Sequence, residues 1–163
     1  MAENTYVLGM ADMMVVKAPA KLVTLGLGSC IGLVVFDTTA KIAGMAHIML
    51  PDSRGAGNVE KIGKFADTAV PAIVDEMIKK GAVRGHIKAK IAGGAQMFAL
   101  PGASAEFLTV GARNVKETTS HLARWGIALV ASDTGGNKGR TVEFSTSNWM
   151  LKIKTLGKGV TEI

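Results

Sequence analysis

The sequence predicts an α+β domain built from layers. Three observations carry that reading. Short β-like runs outnumber helical stretches, and most of them are joined by short polar breaks of the hairpin kind. Only two stretches show apolar residues recurring at three- and four-residue steps, as one face of a helix requires. Hairpin connections between most of the strands disfavour a parallel doubly wound sheet. At 163 residues, with no linker and no internal repeat, the chain reads as one domain over 1–163.

Taken in order, Tyr6–Lys17 is apolar with patchy alternation and predicts a first strand, interrupted by Pro19. Lys21–Leu27 predicts a second strand, leading into the turn Gly26-Leu27-Gly28-Ser29. Ile31–Asp37 and Lys41–Leu50 predict a hairpin closed at Thr38–Thr39. Beyond a loop at Arg54–Asn58, Ile62, Phe65, Ala69, Ile73 and Met77 mark a helix face. Asn58 is the expected N-cap, Pro71 an expected kink or break, and Gly81 the C-terminal stop. Ile87–Ile91 predicts a strand, and Ala95–Glu106 a loop with a short helical turn. A second helix is expected from Asn114 to Trp125, closed by Gly126, then a strand at Ile127–Ala131. Ser132–Arg140 reads as a loop, Thr141–Ser145 and Trp149–Thr155 as a last hairpin, and the tail from Gly157 as loose.

The predicted hairpin holds the chemistry. If Thr38 and Thr39 form its loop, Asp37 faces Ala40 and the sole cysteine, Cys30, falls opposite His47 on one face. A cysteine beside an imidazole is the arrangement that makes a thiolate nucleophile. The bland alternatives are a small buried hydrophobe at Cys30 and a satisfied core histidine at His47. Gly28-Ser29-Cys30-Ile31-Gly32 has the G-x-nucleophile-x-G form, but it runs from turn to strand rather than from strand to helix. It supports a nucleophile without implying an α/β-hydrolase. Backbone N–H groups around Gly28 and Ser29 could meet an oxyanion. Thr24, on the preceding strand, is by default a β-branched strand residue; its functional reading is a hydroxyl that fixes the imidazole tautomer.

Other classes fare worse. Gly26-x-Gly28 lacks the third glycine at dinucleotide spacing, and a strand-like run follows it. Residues 136–140 lack the P-loop spacing and its Ser/Thr. Cys30, His47, His86 and His121 match no compact metal-ligand spacing, and His86 and His121 read as surface histidines. The net charge of +6 is spread along the chain with few aromatic residues, which disfavours nucleic acid. A single cysteine excludes an internal disulfide framework. No apolar run of about 18 residues predicts membrane insertion. No signal peptide is visible at the N-terminus, and the expected location is the cytoplasm.

Several spaced blocks, in order, give a resemblance. Leu25-Gly-Leu-Gly-Ser-Cys30, Met45-Ala-His47-Ile-Met-Leu-Pro51, Phe65-Ala-Asp-Thr68, Lys90-Ile-Ala-Gly-Gly-Ala95, Gly111-Ala-Arg-Asn114 and Asp133-Thr-Gly-Gly-Asn137 look like the CheD family of chemoreceptor glutamine deamidases. The resemblance implies a three-layer α/β/β sandwich with mixed, mostly antiparallel sheets, similar to the catalytic domain of cytotoxic necrotizing factors. It implies a Cys–His–Thr set falling on Cys30, His47 and Thr24, and hydrolysis of receptor glutamine amides through a thioester. It implies that His47 holds the Cys30 thiolate as an ion pair. No cofactor and no metal are expected. The implied partners are the cytoplasmic helices of chemoreceptors and a CheC-type phosphatase, and the free protein is expected to be a monomer. Phe98 and Phe107 are candidate partner contacts, with burial against their own core as the alternative. Two further functions stay open at this point: a non-catalytic module regulating the phosphatase, and another Cys–His acyl-transfer hydrolase.

Overall fold

A computed structural model describes residues 2–97 and 109–163. Among the described residues, ten strands form two five-stranded mixed sheets, and two helices cover the outer side of one of them. The strands are β1 (Asn4–Leu8), β2 (Met13–Lys17), β3 (Ala20–Leu27), β4 (Ile31–Asp37), β5 (Ile42–Ile48), β6 (Lys88–Gly93), β7 (Ala128–Thr134), β8 (Arg140–Ser145), β9 (Met150–Thr155) and β10 (Gly159–Glu162). The helices are α1 (Ala66–Lys79) and α2 (Val110–Arg124). The outer sheet runs β1-β3-β8-β9-β10 and the central sheet β2-β5-β4-β6-β7. The layers are therefore outer sheet, central sheet and helices, the α/β/β order that the family resemblance implied.

β4 and β5 are buried along their whole length, because the central sheet is covered on both faces. Ile31, Leu33, Val35, Ile42, Ala46 and Ile48 face the helices, where Ile73 and Met77 of α1 and Leu122 of α2 meet them. Val34, Phe36, Ala43 and Met45 face the outer sheet, packing on Leu22, Val142 and Phe144. Cys30 packs on this second cluster. At its far end Phe36, Phe144 and Trp149 form an aromatic trio with centroids 5.3–6.2 Å apart, pairs of the kind that add about 1 kcal/mol beyond burial.

The structure corrects several expectations. The stretch Tyr6–Lys17 is not one strand: β1 lies in the outer sheet and β2 in the central one. The chain switches sheets through a turn in which Asp12 accepts the Gly9 N–H and Ala11 takes φ 66°. The helix does not start at Asn58. Met49 and Leu50 donate to the Lys64 carbonyl and Ala66 donates to Leu50, which holds Phe65 extended at φ −113°. Only a 3-10 turn, Ile62–Lys64, precedes α1. Pro71 does not break α1; it lies half-buried within it. The second helix begins at Val110, capped by Thr109, whose hydroxyl accepts the Ala112 N–H. β7 extends through Ser132–Thr134, part of the expected loop, and the Asp133 carboxylate receives the guanidinium of Arg140. The tail is not loose: β10 pairs antiparallel with β9.

The β4–β5 register also differs. Asp37 faces Ile42, so the loop is Thr38–Lys41, four residues rather than two. The cause is Asp37 itself. Its Oδ1 accepts the N–H groups of Thr39 and Ala40, and its Oδ2 that of Val83. An aspartate binding its own loop makes an Asx-type turn, and Lys41 closes it at φ 59°. His47 therefore faces Gly32 instead of Cys30. The slip is two residues, and side chains alternate with period two, so Cys30 and His47 stay on the same face.

Candidate active site

Four segments meet at one end of the sandwich: the ends of β3, β5 and β6 and the start of β4. β3 pairs Thr24 with Val142 and then Leu27 with Arg140, so one extra residue bulges between them. Gly26 takes φ 65° in that bulge. The bulge delivers Gly28-Ser29-Cys30 across the gap from the outer sheet to the central one. Three successive carbonyls of this crossing are held. Gly28 O accepts the Ala95 N–H at 2.9 Å, Cys30 O the Gly94 N–H at 2.9 Å, and Ser29 O the Asn114 Nδ2 at 2.9 Å. Side chains at Gly93 and Gly94 have no room: a Cβ on Gly93 would strike the Cys30 carbonyl, and one on Gly94 the Val115 side chain. The N–H groups of Ser29 and Cys30 have no acceptor among the described residues.

His47 is 1% exposed and Thr24 fully buried. Thr24 Oγ1 donates to the Leu8 carbonyl at 2.9 Å and lies 2.7 Å from His47 Nδ1. A hydroxyl has one proton, and a carbonyl can only accept. That proton goes to Leu8, so Nδ1 must carry a hydrogen and donate it to Thr24. The tautomer is thereby fixed, and Nε2 is left with its lone pair. Nε2 is buried and makes no hydrogen bond with the described residues. The His47 main chain is held as firmly, its N–H donating to Asp12 O and its carbonyl accepting the Ala11 N–H. Opposite the ring stands Gly32, beside Leu27, Val142 and Thr24. Diagonal neighbours on one face lie roughly 7 Å apart at Cβ. Cys30 and His47 are such neighbours.

The electrostatics favour an uncharged pair. Burial pushes the Cys30 thiol up. Burial pushes the His47 imidazole down from its ordinary 6.5, with the Asp12 carboxylate opposing in part. Asp12 is engaged elsewhere, at 2.8 Å from Lys61 Nζ. A standing thiolate–imidazolium pair, as the resemblance implied, is not what this environment stabilises at rest.

The structure thus brings Thr24, Ser29, Gly28, Cys30 and His47 to one place. It keeps His86 and His121 elsewhere, the first 4.0 Å from Asp37 and the second 3.7 Å from Glu117. Phe98 and Phe107 lie outside the described residues. Among the described residues no cluster of three or more His, Cys, Asp or Glu is placed to hold a metal ion, and no helix is long and apolar enough to cross a membrane. A groove of about 280 Å³, lined by Ala11, Met49, Asn58, Lys61, Lys64 and Phe65 among others, opens beside the His47 end of β5. Sequence reasoning missed Asn114, which it placed at a helix start. The residue is fully buried inside α2, and its Nδ2 also donates to Met49 O at 3.0 Å. The available signal was an amide on the apolar side of a helical pattern, where a polar group needs partners.

Comparison with known proteins bears on this geometry. A family model described as CheD chemotactic sensory transduction matches residues 49–155, a span that begins past Thr24, Cys30 and His47. A relative from Clostridium novyi (strain NT), named probable chemoreceptor glutamine deamidase CheD, is 49% identical over 96% of this chain and 96% of its own. The chemoreceptor glutamine deamidase CheD of Thermotoga maritima is 46% identical over 94% of this chain and 93% of its own. Among solved structures, the Bacillus licheniformis hypothetical protein YfiH shares the fold at a TM-score of 0.50 and 15% identity. That match covers 76% of this chain and half of YfiH.

Proposed function

This chain belongs to the CheD family, and on that premise we propose that it hydrolyses glutamine side-chain amides on chemoreceptors, with Cys30 as nucleophile, His47 as general base and acid, and Thr24 as the tautomer lock. The observation that carries the reading is the Leu8–Thr24–His47 chain of hydrogen bonds, which leaves Nε2 as an unpaired buried base on the Cys30 face. Substrate entry excludes water and brings Sγ and Nε2 together; apo contacts of this kind are often loose. Nε2 takes the thiol proton and the sulfur attacks the glutamine amide carbon. The carbonyl oxygen becomes an oxyanion, met by the Ser29 and Cys30 N–H groups. Collapse breaks the C–N bond, and His47 returns its proton so that ammonia leaves. A glutamyl thioester remains. Water then loses a proton to Nε2, attacks the same carbon and expels the thiolate, which is reprotonated. The products are glutamate, ammonia and free Cys30.

Chemoreceptor cytoplasmic helices are the proposed substrate, the cytoplasm the proposed location, and a monomer the proposed free state. A CheC-type phosphatase is the second proposed partner. Incubation with a purified receptor cytoplasmic fragment tests the proposal through ammonia and peptide mass. Expected is a gain of about 1 Da at specific glutamines, abolished by Cys30→Ala while phosphatase binding survives. A chain cut, an amine adduct or no ammonia from the wild type refutes it.

A further inference from the structure

We infer that Asn114 is a positioning residue that aims the Cys30 N–H at the oxyanion, an inference resting on the deamidase reading above. The argument starts from the peptide plane. In a trans peptide the C=O of one residue and the N–H of the next point in opposite directions. Whatever grips the Ser29 carbonyl therefore sets the direction of the Cys30 N–H. Asn114 Nδ2 grips it at 2.9 Å. Of the three held carbonyls in the crossing, this is the one held by a side chain; Gly28 and Cys30 are held by backbone N–H groups of Ala95 and Gly94. Its second proton goes to Met49 O at 3.0 Å, two residues beyond His47. One buried amide thus ties the nucleophile's peptide to the strand of the base. Accepting that bond also polarises the Ser29–Cys30 peptide and strengthens its N–H as a donor.

The helix itself gives no reason for an amide here. Asn114 Oδ1 is buried without a partner, and both Nδ2 protons leave the helix for the site. An apolar residue of similar volume would satisfy α2 but would leave the Ser29 and Met49 carbonyls without this donor.

The test compares Asn114→Ala and Asn114→Asp with Thr118→Val, a change one turn along α2 at a fully buried hydroxyl outside the site. Two readouts are used: kcat and KM for ammonia release from receptor fragment, and affinity for a peptide carrying an aldehyde in place of the glutamine amide. Cys30 adds to that aldehyde, and the resulting hemithioacetal oxygen occupies the oxyanion position. Removal of an oxyanion donor lowers kcat about 100- to 1,000-fold, so a misaimed one should lower it about 10- to 100-fold. Asn114→Ala is expected to show that loss with KM within about threefold, and a parallel loss of aldehyde affinity. Asn114→Asp sets a carboxylate against two carbonyls and should fall at least as far. Relative to wild type at the same pH, it should recover on acidification, when its protonated oxygen can donate. Thr118→Val should keep both values. Asn114→Ala within about threefold of wild type in kcat, or equal losses in Thr118→Val, overturns the inference. If the alanine variant does not fold, the aspartate variant and the wild-type Cys30 amide proton decide. That proton should move downfield in the aldehyde adduct, and no shift overturns the inference. A wild type that forms the adduct but releases no ammonia refutes the deamidase reading instead, and the aldehyde arm still tests Asn114.

Discussion

Thr24→Val removes one oxygen and little else, since the two side chains have nearly the same shape. In the folded protein that oxygen accepts the His47 Nδ1 proton and donates to Leu8 O. Losing it leaves two buried polar groups unpaired at about 1–2 kcal/mol each, so a stability loss of roughly 2–4 kcal/mol is expected. At about 2–4 °C per kcal/mol for a domain of this size, the melting point should fall by some 5–15 °C. The effect on catalysis is separate. In the proposed reaction His47 becomes an imidazolium, and a hydrogen bond to a charged group is worth about 1.5–3 kcal/mol. At 1.36 kcal/mol per decade, kcat should fall about 10- to 150-fold. The Thr24 oxygen stabilises the charged ring more than the neutral one, so its removal lowers the His47 pKa further. The acidic limb of activity should then move to lower pH. Ammonia release across pH, below the melting point of the variant, measures both effects. Thr24→Ser keeps the hydroxyl and should stay within about threefold of wild type. A valine variant with unchanged kcat, or a serine variant as impaired as the valine one, refutes the tautomer argument.

Cys30 should alkylate with iodoacetamide slowly near neutrality in the free protein, its rate rising only above the ordinary thiol range, because burial raises the thiol and depresses His47; a fast plateau extending below pH about 6 would instead reveal a standing ion pair. His47 should also make the fold acid-sensitive. Its folded pKa lies below the ordinary 6.5, so the unfolded chain binds the extra proton: this contribution is intact above about 6.5 and is lost as pH falls from there through the folded value. Melting points measured from about pH 7.5 to 5 should fall more steeply in wild type than in His47→Gln. Asp37→Ala should destabilise by about 2–4 kcal/mol in urea titration, because Thr39, Ala40 and Val83 lose a charged acceptor, while activity below the transition is retained.

Periodicity alone made much of the fold legible. The apolar steps at Ile73 and Met77 located α1, and the polar break after Asp37 located the β4–β5 hairpin. What failed were features decided by groups far apart in sequence. The helix start moved from Asn58 because Leu50, fifteen residues earlier than Phe65, bridges to it. Tyr6–Lys17 hid a sheet switch, since Tyr6 and Leu8 pack in the inter-sheet core while Met13 and Val15 pack toward the helices. The tail escaped because β10 is an exposed edge strand with no apolar alternation to reveal it. Within the site, Cys30 and His47 were visible as rare residue types near one hairpin. Asn114 was not, because its two acceptors are carbonyls, which sequence never distinguishes.

The register slip explains how a wrong pairing could still lead to the right face. A loop enlarged from two residues to four on one side moves the opposed pair by two, and β side chains repeat every two. The consequence for chemistry is not neutral. Direct opposition would set the two Cβ atoms about 5 Å apart; the diagonal arrangement widens this to roughly 7 Å, with Leu27, Val142 and Thr24 packed over the intervening Gly32 position. In the proposed mechanism Nε2 takes the thiol proton directly, so Sγ and Nε2 must close that separation when substrate binds. The proposed tautomer lock comes from the other sheet: Thr24 on β3 reaches across the core to a ring on β5. The separation of the two sheets, set by Val34, Met45, Leu22 and Phe144, therefore sets the reach of that hydroxyl. Overpacking this core should disturb the His47 tautomer before it unfolds the protein.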